Sequence, residues 1–176
     1  MLNMSKIGTE EASRYPNNER ASTVLLMGCG WLGQALAKPL LTSGRHVIGT
    51  TTTPENVTAL LKSTLGKDSP GWFAVIGAGD IVPAKKPAPD IYLWVLEQLG
   101  LPAQHCIALE DSENGLRAAL AAGLDTVITV SDYTRGQDFS GATLVLSDLG
   151  EPAQPFAVLA GNAHGRGWVD AGCWPG

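Results

Sequence analysis

Apolar positions along the chain fall into short solid runs separated by spaced stripes. Val24-Leu25-Leu26-Met27 is a continuous apolar run closed by Gly28. A run of that length without polar alternation predicts a strand buried on both faces. Trp31 to Leu41 spaces its apolar residues for a helix that ends near Gly44. His46-Val47-Ile48-Gly49 predicts a second strand, followed by Thr50 to Thr53 and Pro54. Proline suits a first helical turn. A helix is therefore expected from near Pro54, with Val57, Leu60 and Leu61 inward and a stop near Gly66. Phe73 to Ile76 predicts a third strand. Pro89 to Leu99 predicts a helix with Ile91, Trp94, Val95 and Leu99 on its inner face. Gly100 ends it and Pro102 blocks continuation. Cys106 to Leu109 is a fourth strand and Ser112 to Ala122 an alanine-rich helix closed by Gly123. Thr126 to Val130 and Thr143 to Leu146 supply a fifth and a sixth strand.

This alternation of strand and helix is the rhythm of an α/β fold. The expectation is a three-layer, Rossmann-like, mainly parallel sheet of five or six strands with helices on both faces. Right-handed crossovers then bring the functional loops to the carboxyl ends of the strands. Residues 1–22 are polar and aperiodic and read as a disordered leader. Residues 23–150 read as a single domain. Residues 151–176 hold prolines, glycines, Trp168 and Trp174 without a period and are expected to form a poorly structured tail.

Charge narrows the partners. The net charge is −5, and the 12 basic residues are scattered rather than clustered. That balance argues against a nucleic-acid partner and against an anionic membrane surface. No apolar stretch approaches the roughly 18–20 residues a membrane-crossing helix needs. Cys29, Cys106 and Cys173 lie far apart without a CxxC pair, which leaves no zinc site or disulfide framework. A reducing, cytoplasmic location is the expected home.

Chemistry-bearing residues collect at three strand ends. Thr50-Thr51-Thr52-Thr53 follows the second strand, Lys85-Lys86-Pro87-Ala88-Pro89-Asp90 opens a helix, and Leu109-Glu110-Asp111-Ser112-Glu113-Asn114-Gly115 joins a strand to a helix. A hydroxyl with free backbone amides at a strand end holds phosphate oxygens. A lysine at a helix start neutralises a phosphate or a nearby carboxylate. Adjacent carboxylates suit a hard cation such as Mg²⁺. Each piece also has a purely structural use. The threonines cap a helix, the two lysines form a solvated charge pair, and Asp111 or Ser112 serves as an N-cap with Glu113 at the positive helix end.

In order and spacing the three pieces resemble motifs two, three and four of haloacid-dehalogenase superfamily phosphatases. The β-phosphoglucomutase-like and phosphoglycolate-phosphatase-like members are the nearest in pattern. The resemblance runs over residues 50–149 and is carried above all by "KKPAPDIY" and "LGLPAQHCIALEDSENGLRAALAAGL". It implies a haloacid-dehalogenase-like hydrolase, of phosphatase or phosphomutase type, acting with Mg²⁺ on a phosphate monoester of a small phosphorylated metabolite. It places Thr50, Thr51 and Lys86 on the phosphate, gives Lys86 the catalytic role, and assigns the metal to Glu110 and Asp111. The family's first motif is two aspartates one residue apart after the first strand. No such pair occurs here. The attacking nucleophile is therefore missing, and an inactive or strongly impaired protein is expected. A cap domain is not expected either, because only one helix separates the first two strands.

Residues 23–52 resemble a different opening, that of a Rossmann NAD(P)-dependent epimerase or reductase. Gly28, Gly30 and Gly33 form a G-x-G-x-x-G loop between strand and helix. Such glycines allow a tight turn and a close approach to a pyrophosphate. The acid expected about twenty residues further on, for the ribose hydroxyl, is absent. The alternatives are thus an NAD(P)-binding module using the glycine loop, or a non-catalytic hybrid remnant.

Overall fold

The computed structural model describes residues 24–28, 47–51, 58–59, 62–63, 66–68, 70, 73–78 and 81–169. The expected leader, the helix from Trp31 to Leu41, Gly30, Gly33 and the last residues of the tail lie outside the described residues. Residues 58–59 and 62–63 are helical, inside the helix expected after Pro54.

The strands are β1 (Val24–Gly28), β2 (Val47–Thr51), β3 (Phe73–Ala78), β4 (Cys106–Glu110), β5 (Asp125–Thr129), β6 (Leu144–Leu146) and β7 (Val158–Gly161). The helices are α1 (Asp90–Leu99) and α2 (Glu113–Ala121). The strands form one 7-stranded sheet in the order β3-β2-β1-β4-β5-β6-β7. The pairs from β3 through β6 are all parallel, as the apolar runs predict, and β7 adds antiparallel to β6. The chain builds outward from β1 on one side and returns to its other side with β4. That reversal opens a crevice at the carboxyl ends of β1 and β4. Among the described residues no helix is long and apolar enough to cross a membrane.

The seventh strand corrects one expectation. Residues 151–176 contain β7, and Phe156 and Val169 beside it are each only 8% exposed. The amide of Phe156 donates to Gly167 O at 2.7 Å and that of Val169 to Leu149 O at 2.8 Å. Val158-Leu159-Ala160 closed by Gly161 is a short apolar run like those of the other strands, yet all four residues are exposed. Main-chain bonding holds it instead.

Helix α1 ends as expected, with Gly100 at φ 64° and its amide bonded to Glu97 O at 3.1 Å. A left-handed residue there closes the helix without a Cβ penalty. Its inner face differs from the sequence reading. Ile91, Tyr92, Val95 and Leu96 are buried, while Trp94 and Leu99 pack at the rim. Helix α1 approaches β3 closely at Gly77. A Cβ at Gly77 would already meet Val95 Cγ2 at 3.1 Å and Ile91 Cδ1 at 3.2 Å. The Trp94 ring reaches the same spot, with Cζ3 at 3.4 Å, and packs there while staying partly exposed.

The main core joins α1 and α2 to one face of β4. Cys106 and Ala108 of β4 meet Tyr92, Val95, Ala118 and Ala119. Successive strand residues point to opposite faces. Glu110, two further along β4, therefore faces the same helices.

Candidate functional site

Strand register sets the first row of the site. Gly28 of β1 pairs with Thr50 of β2, and Thr50 pairs with Gly77 of β3. On the other side Met27 pairs with Leu109, which puts Glu110 of β4 level with Gly28. Thr50, Gly28 and Glu110 thus stand abreast at the carboxyl ends of three neighbouring strands. Thr51 follows at the very end of β2, level with Ala78.

Lys86 reaches this row from the segment before α1. Its ammonium forms an ion pair with Glu110 Oε1, and the peptide bond from Lys86 to Pro87 is cis. The hydroxyl of Tyr92 donates to the same Glu110 oxygen. Lys86 Nζ also lies 3.3 Å from that hydroxyl and 4.9 Å from the ring centroid. Glu110 is 5% exposed and Tyr92 fully buried, whereas the Lys86 side chain keeps 28% of its surface. A buried carboxylate needs partners of this kind, since an unpaired one is costly in a low-dielectric interior. Burial, then the charge and hydrogen bond of Glu110, push the Tyr92 phenol well above its ordinary 10.0, so it stays a hydrogen-bond donor.

The neighbouring turn is set by Ser112. Its side chain caps α2 by accepting from the Gly115 amide at 3.2 Å. Of the two N-cap candidates in the sequence, Ser112 takes the role and Asp111 is left exposed. The first turn of α2 also ties down the loop after β5. The Glu113 amide donates to Gln137 Oε1 at 2.7 Å, and the Asp138 amide to Glu113 Oε2 at 3.4 Å.

The structure therefore brings Lys86 and Glu110 into contact, with Asp111 next in the chain and Thr50 in the same strand row. Gly28 sits at the end of β1, while Gly30 and Gly33 lie outside the described residues. Tyr92 is the participant that sequence reading missed. Its signal was helical spacing, because Tyr92 lies one turn before Val95 and Leu96 on the buried face. Among the described residues the donors do not complete a magnesium site. Glu110 Oε1 is engaged by Lys86 and Tyr92, its other oxygen packs against Gly115, and Asp111 offers one free carboxylate. Among the described residues no group of three or more His, Cys, Asp or Glu side chains comes together.

Comparison with known proteins places this arrangement. The family model for haloacid dehalogenase-like hydrolases matches residues 36–123. The chain belongs to the haloacid dehalogenase-like hydrolases. The match starts inside the segment whose glycine loop resembles a dinucleotide fold. The chain is 52% identical over 123 residues to the plasmid-encoded protein CbbY of Cupriavidus necator, covering 70% of this chain and 48% of that protein. It is similar to the crystal structure of CbbY from Rhodobacter sphaeroides in complex with phosphate, at TM-score 0.60 and 42% identity, over 65% of this chain and 51% of that one. An aspartate-to-asparagine mutant of the same protein, in complex with xylulose-(1,5)bisphosphate, matches at TM-score 0.61 and 41% identity, over 68% and 55% of the two chains. The chain spans about half the length of the curated relatives it matches (48%, 48% and 46%).

Proposed function

We propose that this chain carries the phosphate-binding side of a phosphatase- or phosphomutase-type site for a small phosphorylated metabolite of the sugar-phosphate class. Turnover is strongly impaired or absent. The observation that carries this reading is the Lys86 ammonium, anchored on the buried Glu110 carboxylate at the carboxyl edge of the sheet with one side open. A lysine held this way meets the oxygens of a phosphate as a point charge. Thr50 and Thr51, at the end of β2, are the second contact in this reading. The phosphate and bisphosphate found with the CbbY relatives support the choice of ligand class.

Phosphoryl transfer relies on positioning and charge stabilisation, but a covalent route also needs a nucleophile. The strand in the central position, β1, runs into Gly28-Cys29-Gly30 and supplies no carboxylate. Asp111 alone gives a magnesium ion an incomplete site, so no step is assigned to the metal. What remains is binding and charge neutralisation by Lys86.

The test is a calorimetric titration of the full chain with inorganic phosphate, with Lys86→Ala as the comparison, beside a phosphate-release assay on sugar phosphates. Binding that weakens at least tenfold in Lys86→Ala, with no turnover above the uncatalysed rate, is the expected result. Identical phosphate affinity in the two proteins would sink the binding assignment. Trapping of an aspartyl-phosphate would sink the claim of impaired chemistry. The strand order equally suits a dinucleotide fold. Titration with NAD⁺ and NADP⁺ tests the glycine-loop alternative.

A further inference from the structure

Lys86 and Glu110 do not meet alone. The Tyr92 hydroxyl donates to the Glu110 oxygen that receives Lys86, and Lys86 Nζ in turn lies 3.3 Å from the Tyr92 hydroxyl. The three groups close a triangle. Two of its corners are sealed, with Tyr92 at 0% and Glu110 at 5% exposure. Lys86 alone has an open side, at 28%.

An ammonium has three donors on a freely turning bond, and its stem is flexible. Here one donor is directed at Glu110 and a second at Tyr92. The third is left, and the open side of the lysine sets its direction. We propose that Tyr92 is a positioning residue that locks the Lys86–Glu110 pair so that the remaining Lys86 N–H is aimed at a phosphate group. The proposal rests on Lys86 being the phosphate ligand.

Two contacts do the work. The phenol occupies a second lone-pair direction on Glu110 Oε1, so the carboxylate cannot rotate toward other donors. It also takes one ammonium hydrogen, which stops rotation about Nζ while the ring supports the charge from below at 4.9 Å. Ordering done before the ligand arrives is not charged against binding. Immobilising one rotamer-rich side chain in advance corresponds to about a two- to tenfold gain in affinity. A buried tyrosine also needs a partner for its hydroxyl on general grounds. That ordinary requirement predicts an effect of Tyr92 on stability alone and none on phosphate affinity.

Tyr92→Phe separates the two roles, since it removes the hydroxyl and keeps the ring. Wild type, Tyr92→Phe and Lys86→Ala are titrated with inorganic phosphate, and each melting temperature is recorded. The lysine ammonium groups are observed by ¹H–¹⁵N spectroscopy, the Lys86 signal being the one absent in Lys86→Ala. Tyr92→Phe is expected to bind phosphate about two- to tenfold more weakly and to lose the slowly exchanging Lys86 signal. A lower melting temperature with unchanged affinity and a retained Lys86 signal overturns the proposal. If wild type and Lys86→Ala bind phosphate equally, the phosphate assignment fails. The Lys86 signal in Tyr92→Phe then decides the lock by itself. Should Tyr92→Phe fail to fold, the wild type supplies the reading. Added phosphate must then shift the Tyr92 hydroxyl proton together with the Lys86 ammonium, and an unmoved hydroxyl proton overturns the proposal.

Discussion

The Glu110 carboxylate fills the space in front of Gly115: a Cβ on residue 115 would lie 1.9 Å from Glu110 Oε2 and 2.3 Å from Cδ. The first turn of α2 is therefore pressed against the end of β4. A glycine there makes room for the charge that holds Lys86, and Ser112 caps the same turn. A helix-breaking residue at a helix start is in this case a consequence of what the strand end carries.

Gly115→Ala sets two effects against each other. Alanine gains up to about 1 kcal/mol of helix propensity. Overpacking costs about 1–3 kcal/mol. Glu110 cannot swing aside without stranding its buried partners, at about 1–3 kcal/mol more. The expected outcome is a net loss of about 1–4 kcal/mol in urea denaturation. The same substitution in a Glu110→Ala background should cost far less, because the clash is gone. Equal costs in both backgrounds would show that Glu110 does not occupy this space.

Glu110→Ala removes the acceptor shared by Lys86 and Tyr92. The buried Tyr92 hydroxyl is left short of a partner and Lys86 loses its counter-charge. A loss of about 2–4 kcal/mol is expected, moderated by the partial exposure of Lys86. A double-mutant cycle with Lys86→Ala checks the pair directly. A coupling energy below about 0.5 kcal/mol would contradict a working ion pair.

Cys106 gives a stability change with a definite sign. Burial pushes its thiol up from 9.0 to about 11. The folded protein keeps that proton to a higher pH than the unfolded chain. The stabilisation is full below about 9 and is lost as pH rises through 9 towards about 11. Denaturation midpoints at pH 8 and pH 10.5 should therefore differ less in Cys106→Ala than in the wild type. The folded thiol should also react slowly with disulfide reagents at neutral pH.

Gly150 tests the C-terminal strand. It sits at φ 65°, and a Cβ there would lie 2.2 Å from Gly167 O and 2.9 Å from Phe156 N. These are main-chain atoms and yield little. Gly150→Ala should cost about 2–4 kcal/mol. Amide exchange should show the loss first at Phe156 and Val169, with β4 and β5 still protected. Uniform loss across the sheet would mean that the 147–169 segment does not open independently.

The candidate site was only partly legible in the sequence. Lys86, Glu110, Asp111 and Thr50 stand at strand and helix ends, where turn chemistry marks them. Their order along the chain carried the resemblance to the haloacid-dehalogenase family, which the match over residues 36–123 then bore out. Tyr92 closes the KKPAPDIY stretch but has no assigned role there. It lies in the first turn of α1, and only the packing of α1 onto β4 shows that its hydroxyl meets Glu110. The same packing separates the paired acids, turning Glu110 inward to Lys86 and leaving Asp111 outside.

By itself the sequence determined the strands β1 to β6, the helix stops at Gly100 and Gly123, and the parallel α/β class. Each rests on local rules of run length, spacing and backbone freedom that neighbouring residues settle among themselves. The tertiary structure decided the rest. Strand order brought residue 28 level with residues 50 and 110. Packing of α1 onto β3 and β4 buried Tyr92 and Leu96 and left Trp94 and Leu99 at the rim. Main-chain bonds to β6 added β7, whose short apolar run stays exposed rather than buried. These outcomes depend on contacts between residues far apart in the chain, and side-chain periodicity holds no record of which distant segment a strand edge or a carboxylate will meet.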